Sequence, residues 1–201
     1  MKPFDCRSLV SLLENNEDEP RPFMWIGKER HDIGRPGDVG YPIRGIITEE
    51  WIYLVNYEPT RDPAGNPETG YLNYDASPTK TLLLKRKGRY YRLSFGKRPS
   101  EELYNIVSDP DCIDNLAGKS SATLICDSLR TIMENKLIED EDPRMFGKGD
   151  VFDRYEFSNP LCRNYYDRLL RNDSIPLPNW IVPSDVDWKR QNRLRGTTHP
   201  F

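Results

Sequence analysis

Apolar residues in this chain come in short runs, separated by long polar and proline-rich stretches. The clearest unit spans residues 41–58. Ile43, Ile46 and Ile47, then Trp51, Ile52, Tyr53, Leu54, Val55 and Tyr57, form two β-rich runs around Thr48-Glu49-Glu50. This spacing predicts a hairpin. Side chains alternate across a strand, so Ile52, Leu54 and Asn56 share one face while Trp51, Tyr53, Val55 and Tyr57 share the other. Residues 102–107 read as a third strand, broken by Asp109-Pro110-Asp111. Asn115-Leu116-Ala117-Gly118 is a turn, after which Ser120 or Ser121 caps a helix running to about residue 136. Leu124, Ile125, Leu129, Ile132 and Met133 make its apolar stripe. A hairpin, a further strand and an amphipathic helix predict a small α+β unit, an antiparallel sheet packed by that helix.

The remaining pattern is weaker. Residues 7–14 place Leu9, Val10, Leu12 and Leu13 on a rough helical stripe, and residues 15–22 are polar and acidic. Phe23-Met24-Trp25-Ile26, stopped by Gly27, reads as a short buried strand with few partners nearby, so its neighbours are expected outside this sequence. Pro59, Pro63, Gly65, Pro67 and Gly70 mark residues 59–76 as a long surface loop, a class that is often functional. Ser77-Pro78 is a good helix start, and a helix over 78–85 is predicted, although Leu82-Leu83-Leu84 also fits a strand. From residue 139 the chain is acidic and then rich in Tyr, Pro and Asp, with a short helix expected over 164–171. Such a tail wraps over a larger body, with Trp180 and Trp188 as anchors.

Composition narrows the function. Only 36% of the 201 residues are hydrophobic, and 17 are proline, so the chain is unlike a self-sufficient core of average composition. A net charge of −3 argues against binding nucleic acid by phosphate neutralisation. No apolar window reaches membrane-spanning length, and residues 1–5 lack the apolar run of an export signal. Cys6, Cys112, Cys126 and Cys162 form no C-x-x-C pair and are read as separate reduced thiols. With only two histidines, a zinc site is not expected.

Glu101-Glu102-Leu103-Tyr104-Asn105-Ile106, Asp109-Pro110 and Asn115-Leu116-Ala117 stand in the order of the E-L-Y-D-L…D-P…N-L-A stretch of sulfatase C-terminal domains. Gly40-Tyr41-Pro42-Ile43-Arg44 with Tyr53-Leu54-Val55-Asn56-Tyr57, Ser77-Pro78-Thr79 and Asp142-Pro143 resemble the heparan N-sulfatase (sulfamidase) branch. Asp5-Cys6-Arg7-Ser8-Leu9 is similar to a D-G-R-S-L element late in the catalytic domain, with Cys6 replacing Gly. The resemblance covers about residues 3–150, and its strength is the shared order of short matches.

The resemblance implies a division of the chain. Residues 1–40 would be a remnant of the end of the α/β catalytic domain, 41–140 the C-terminal α+β subdomain, and 141–201 an irregular wrapping tail. It also implies a chemistry: a formylglycine made from C-x-[P/A]-x-R attacks sulfate sulfur, and calcium, a hard cation, polarises the sulfate from oxygen ligands. This chain lacks both parts by sequence. Cys126 has Arg130 four residues on, but Ser128 occupies the Pro or Ala position, and the segment lies after the E-L-Y stretch within a predicted helix. Cys126 is therefore read as a helix cysteine at the core edge, and neither a catalytic nor a metal residue is assigned. The implied cofactors, calcium and formylglycine, belong to the intact family.

The candidate substrate-binding residues are His31 first, then Arg30, with Glu29 and Lys28. They follow the 23–26 strand where the resembling family opens a loop at the substrate-pocket rim. Arg offers a planar two-pronged donor and His a switchable one, both suited to a sulfated sugar. Gly34, Gly37 and Gly40 are spaced as a loop and not as a dinucleotide fingerprint. Lys85-Arg86-Lys87 with Arg89-Tyr90-Tyr91-Arg92 is read as a solvated basic face. The leading expectation is a C-terminal fragment of a hydrolase of sulfated glycans, inactive without its catalytic portion. The expected partners are a sulfated glycan and that missing portion, with no nucleic acid and no membrane. The alternatives are a non-catalytic glycan-binding module and an inert product of a truncated gene. Membership of an exported enzyme would place it in a periplasmic, secreted or lysosome-like setting.

Overall fold

The computed structural model describes residues 10–15, 21–171 and 175–194. Its centre is a four-stranded antiparallel sheet, β1 (Met24–Lys28), β2 (Ile43–Ile47), β3 (Trp51–Asn56) and β4 (Glu101–Asn105), in spatial order β1-β2-β3-β4. The described residues also form six α-helices: α1 (Val10–Asn15), α2 (Pro78–Arg86), α3 (Arg89–Phe95), α4 (Thr123–Glu139), α5 (Tyr165–Leu170) and α6 (Trp188–Leu194). The α+β class and the hairpin follow the sequence pattern. Tyr53 pairs with Ile46 on one side and Leu103 on the other, so all three share a face.

That face is the main core. Ile46, Tyr53 and Leu103, each fully buried, pack against Ala122, Cys126, Leu129 and Met133 of the helical layer. The stripe on α4 is rotated from the predicted one. Leu124 is 85% exposed, and Cys126 takes its place, buried within the core and not at its edge. The cause is the register of a 17-residue helix. Positions 126, 129 and 133 recur at the i, i+3, i+7 spacing, and Leu124 falls two residues before this row.

Two other expectations are corrected. β1 is not buried, and its pairing partner is β2 of this same chain, with Trp25 opposite Ile46. It is an edge strand, which leaves Met24 and Trp25 largely exposed. The 59–76 stretch is not a surface loop, since residues 64–72 are all buried. Gly70 explains part of this. It adopts φ +71°, and an added Cβ would sit 2.8 Å from Ile181 Cγ2, so only glycine admits the tail at that distance.

Helix α2 starts as its sequence predicts, with Ser77 accepting from the Lys80 amide and Pro78 at the first position. The basic residues after it, Lys85, Arg86, Lys87, Arg89 and Arg92, are exposed as read. Arg89–Phe95 is a second helix, whose Phe95 joins Tyr71 and Ala64 in a small core. The tail carries α5 as expected, and α6 in addition. Its anchors are in this chain: Tyr165, Leu169, Ile181 and Val186 bury against Ile33 and Leu72, and Trp180 packs on the same cluster. Cys112, Cys126 and Cys162 are free thiols, while Cys6 lies outside the described residues.

Candidate functional site

The loop from Gly27 to Gly40 leaves the end of β1 and returns to β2. Its ends are held together by the Tyr41 amide, which donates to the Glu29 carbonyl at 2.8 Å. A Cβ on Gly40 would overlap that carbonyl, so the closure requires glycine. Within the loop, the four candidate residues divide into two pairs.

Glu29 and Arg30 are committed to the fold. The Glu29 carboxylate takes Arg44 Nη2 at 2.5 Å, and Arg144 through Nε at 2.8 Å and Nη2 at 2.5 Å. Arg44 also donates to Asp142 at 2.7 Å and to the Lys28 and Ile43 carbonyls. Both guanidinium groups lie against the Phe152 ring, at 5.7 and 5.4 Å from its centroid. Burial opposes the charge on Arg44, but its bonds to Asp142 and Glu29 outweigh that and hold its pKa above the ordinary value. Arg30 donates to the Asp38 carbonyl at 3.0 Å and to the Tyr155 carbonyl at 2.6 Å, and lies over Phe157.

Lys28 and His31 are the pair left available. His31 is exposed. Lys28 forms no ion pair among the described residues, and its Nζ sits 5.9 Å from the Tyr41 ring centroid. Burial, then the nearby Arg35 charge, lowers its pKa. Asp32, next in sequence, accepts from the Ile33 amide at 2.7 Å, and burial raises its pKa.

Residues that the sequence did not single out build the floor beneath this loop. Arg35 is 1% exposed and donates to the Asp62 and Pro63 carbonyls at 2.8 and 2.9 Å, leaving Nη1 with no partner. Burial and then Arg61 bring its pKa down to about 10. Tyr41 stacks against Arg35 with its hydroxyl buried and unpartnered, and burial pushes its pKa up to about 12. The tail braces the loop from the other side. Asp153 accepts from the Gly40 amide at 2.9 Å and from Arg61 Nη2 at 2.9 Å. Asp38 accepts from the Asn164 amide, and Asp167 from the Gly37 amide at 2.8 Å. In sequence these carboxylates look like ordinary surface charge. The only signal for Asp153 and Asp167 is that acidic residues recur through residues 142–167, where the apolar pattern fades.

Ile26, Ile43, Ile47, Ile52 and Leu54 point away from α4, are partly exposed, and belong to none of the buried clusters of the described residues. Among the described residues no group of three His, Cys, Asp or Glu is placed to hold a metal ion. Cys126 is buried in α4 with its pKa raised by burial, and Arg130 is engaged with Glu101, Tyr53 and Asp127. No helix among the described residues is long and apolar enough to cross a membrane.

No protein-family model and no curated protein matches this chain. Its fold is similar to a solved structure of BT4656 in complex with its substrate D-glucosamine-2-N,6-O-disulfate. The identity is 16% and the TM-score 0.43, with 71% of this chain and 22% of that one covered. The chain thus spans 22% of the length of that protein.

Proposed function

We propose that this chain is the C-terminal portion of a sulfatase acting on sulfated glycans, of the N-sulfoglucosamine type. It closes one side of a catalytic portion and presents His31 and Lys28 at the rim of the substrate pocket. The observation that carries this reading is the division within the loop. Glu29 and Arg30 lock the backbone through Arg44, Arg144 and two carbonyls, which leaves the exposed imidazole of His31 on a rigid base. A positioned N–H donor is what an anionic sugar needs. The ordered likeness of residues 40–44, 53–57 and 101–117 to sulfatase C-terminal domains supports the choice of family. In this reading the partly exposed apolar face of the sheet docks on the catalytic portion, and residues 1–40, 41–140 and 141–201 play the three parts expected from the sequence.

Nucleophile, metal and sulfate transfer come from the catalytic portion, and this chain orients the sugar. The purified chain with calcium should not turn over 4-nitrophenyl sulfate, and calcium-dependent turnover would overturn the proposal. Joined to a portion carrying C-x-[P/A]-x-R, the chain should restore hydrolysis of an N-sulfated glucosaminide. There His31→Ala should raise KM about tenfold or more, the loss of one charge-assisted contact. An unchanged KM would remove His31 from the site.

A further inference from the structure

We propose that the groove between α2 and residues 182–189 is a second binding site, for a sulfated oligosaccharide. It is lined by none of the loop residues 28–32. Two adjoining cavities share Lys85. One, of about 410 Å³, is lined by Leu84, Lys85, Lys87, Val186, Trp188 and Lys189 among others. The other, of about 540 Å³, is lined by Pro78, Leu82, Lys85 and Val182 among others. Both fall in the size range of ligand clefts.

The groove is preformed, because its two walls are tied together. Thr81 Oγ1 donates to Asp185 Oδ1 at 2.7 Å. The Ala76 amide donates to the Trp180 carbonyl at 2.7 Å. Lys80, buried beneath, donates to the Gly70 and Tyr74 carbonyls at 2.7 Å each and faces Asp185 at 3.7 Å. A preorganised groove does not lose binding energy to ordering its walls.

The charges along it do not cancel. Asp185 faces Thr81 and Lys80 with its side chain fully buried, and Asp187, which accepts from the Arg190 amide, is left as a single anion against three lysines. Lys85, Lys87 and Lys189 form no ion pair among the described residues, so three cations stand at the rim over an apolar floor of Leu84 and Val186. Trp188 is 40% exposed, with its indole N–H donating to the Pro183 carbonyl at 3.0 Å. That bond fixes the ring and leaves its face available. A sugar ring stacks its C–H face on such an indole, while sulfates on the ring edge reach the ammonium groups. The choice of a sulfated sugar rests on the proposed function, but the groove itself does not.

The test is titration of the 201-residue chain with a heparin-derived octasaccharide and with its fully desulfated, re-acetylated counterpart. Tryptophan fluorescence and calorimetry are the two readouts. The sulfated probe should bind and the desulfated one should not, with affinity falling as salt rises. The triple variant Lys85→Ala, Lys87→Ala, Lys189→Ala should lose about tenfold or more in affinity, the sum of three exposed ion pairs. Trp188→Phe should retain binding while losing most of the fluorescence change. Unchanged affinity in the triple variant or equal binding of the two probes would overturn the groove, and a failure of the KM experiment would leave it standing.

Discussion

Around Tyr53 the fully buried neighbours are Ile46, Leu103 and Met133; around Glu68 they are Thr69 and Gln191, with Lys80 and Asp185 close to full burial. The first region is a conventional sheet-on-helix core, stabilised by removing apolar surface from water. The second is a set of loops and tail segments stitched by polar side chains to backbone carbonyls. Gln191 Nε2 donates to the Glu68 carbonyl at 3.2 Å, and Lys80 Nζ donates to Gly70 and Tyr74. Arg190 Nε lies 2.6 Å from Glu68 Oε1 as an ion pair. An apolar core tolerates changes that conserve volume. A polar stitch tolerates little, since removing one partner strands the other in a dry place.

Four substitutions sharpen this contrast. Arg44→Ala should be the most damaging, at about 3–5 kcal/mol, because it strips a partner from both Glu29 and Asp142. Urea unfolding reads this directly, and a cost below that of Leu103→Ala would erase the distinction drawn here. Leu103→Ala, at the centre of the apolar core, should cost about 3 kcal/mol through lost burial and the cavity it leaves. Ser77→Ala removes the cap of α2 and should cost about 1 kcal/mol, seen as a lowered Tm. Glu68→Gln is a test of pH and not of magnitude. Burial raises the Glu68 pKa, so its favourable contribution is complete at low pH and declines as pH rises through the raised value. The variant should therefore gain Tm relative to the parent from the ordinary glutamate range, about pH 4, toward neutrality. A difference independent of pH would show that Glu68 is not strained by its charge.

The two regions also differ in how readily the sequence reveals them. Alternation in residues 43–56 is periodic, and periodicity survives without coordinates. The hairpin was legible for that reason and α2 from its Ser77-Pro78 start, whereas the α4 stripe was read with Leu124 where Cys126 is buried. β1 was legible as a strand but not as an edge, because Phe23-Met24-Trp25-Ile26 is apolar on both faces and only pairing partners settle burial. The 59–76 stretch looked exposed because Pro, Gly and Asn dominate it; what buries it is Ile181 and Val186 arriving from more than a hundred residues away. Residues 29–32 follow β1 as a loop, but nothing in Lys28-Glu29-Arg30-His31 says which charges Arg44, Arg144 and the Tyr155 carbonyl will claim.

The strand order has a kinetic consequence. β1, β2 and β3 are joined by the 28–43 loop and a tight turn, so their meander closes over modest chain distances. β4 joins beside β3 only after residues 57–100 have been laid out, and the loop entropy of that span must be met before Leu103 contributes. The sheet should therefore be completed late, and the Asn56–Glu102 hydrogen bond at 2.7 Å is among the contacts that seal it.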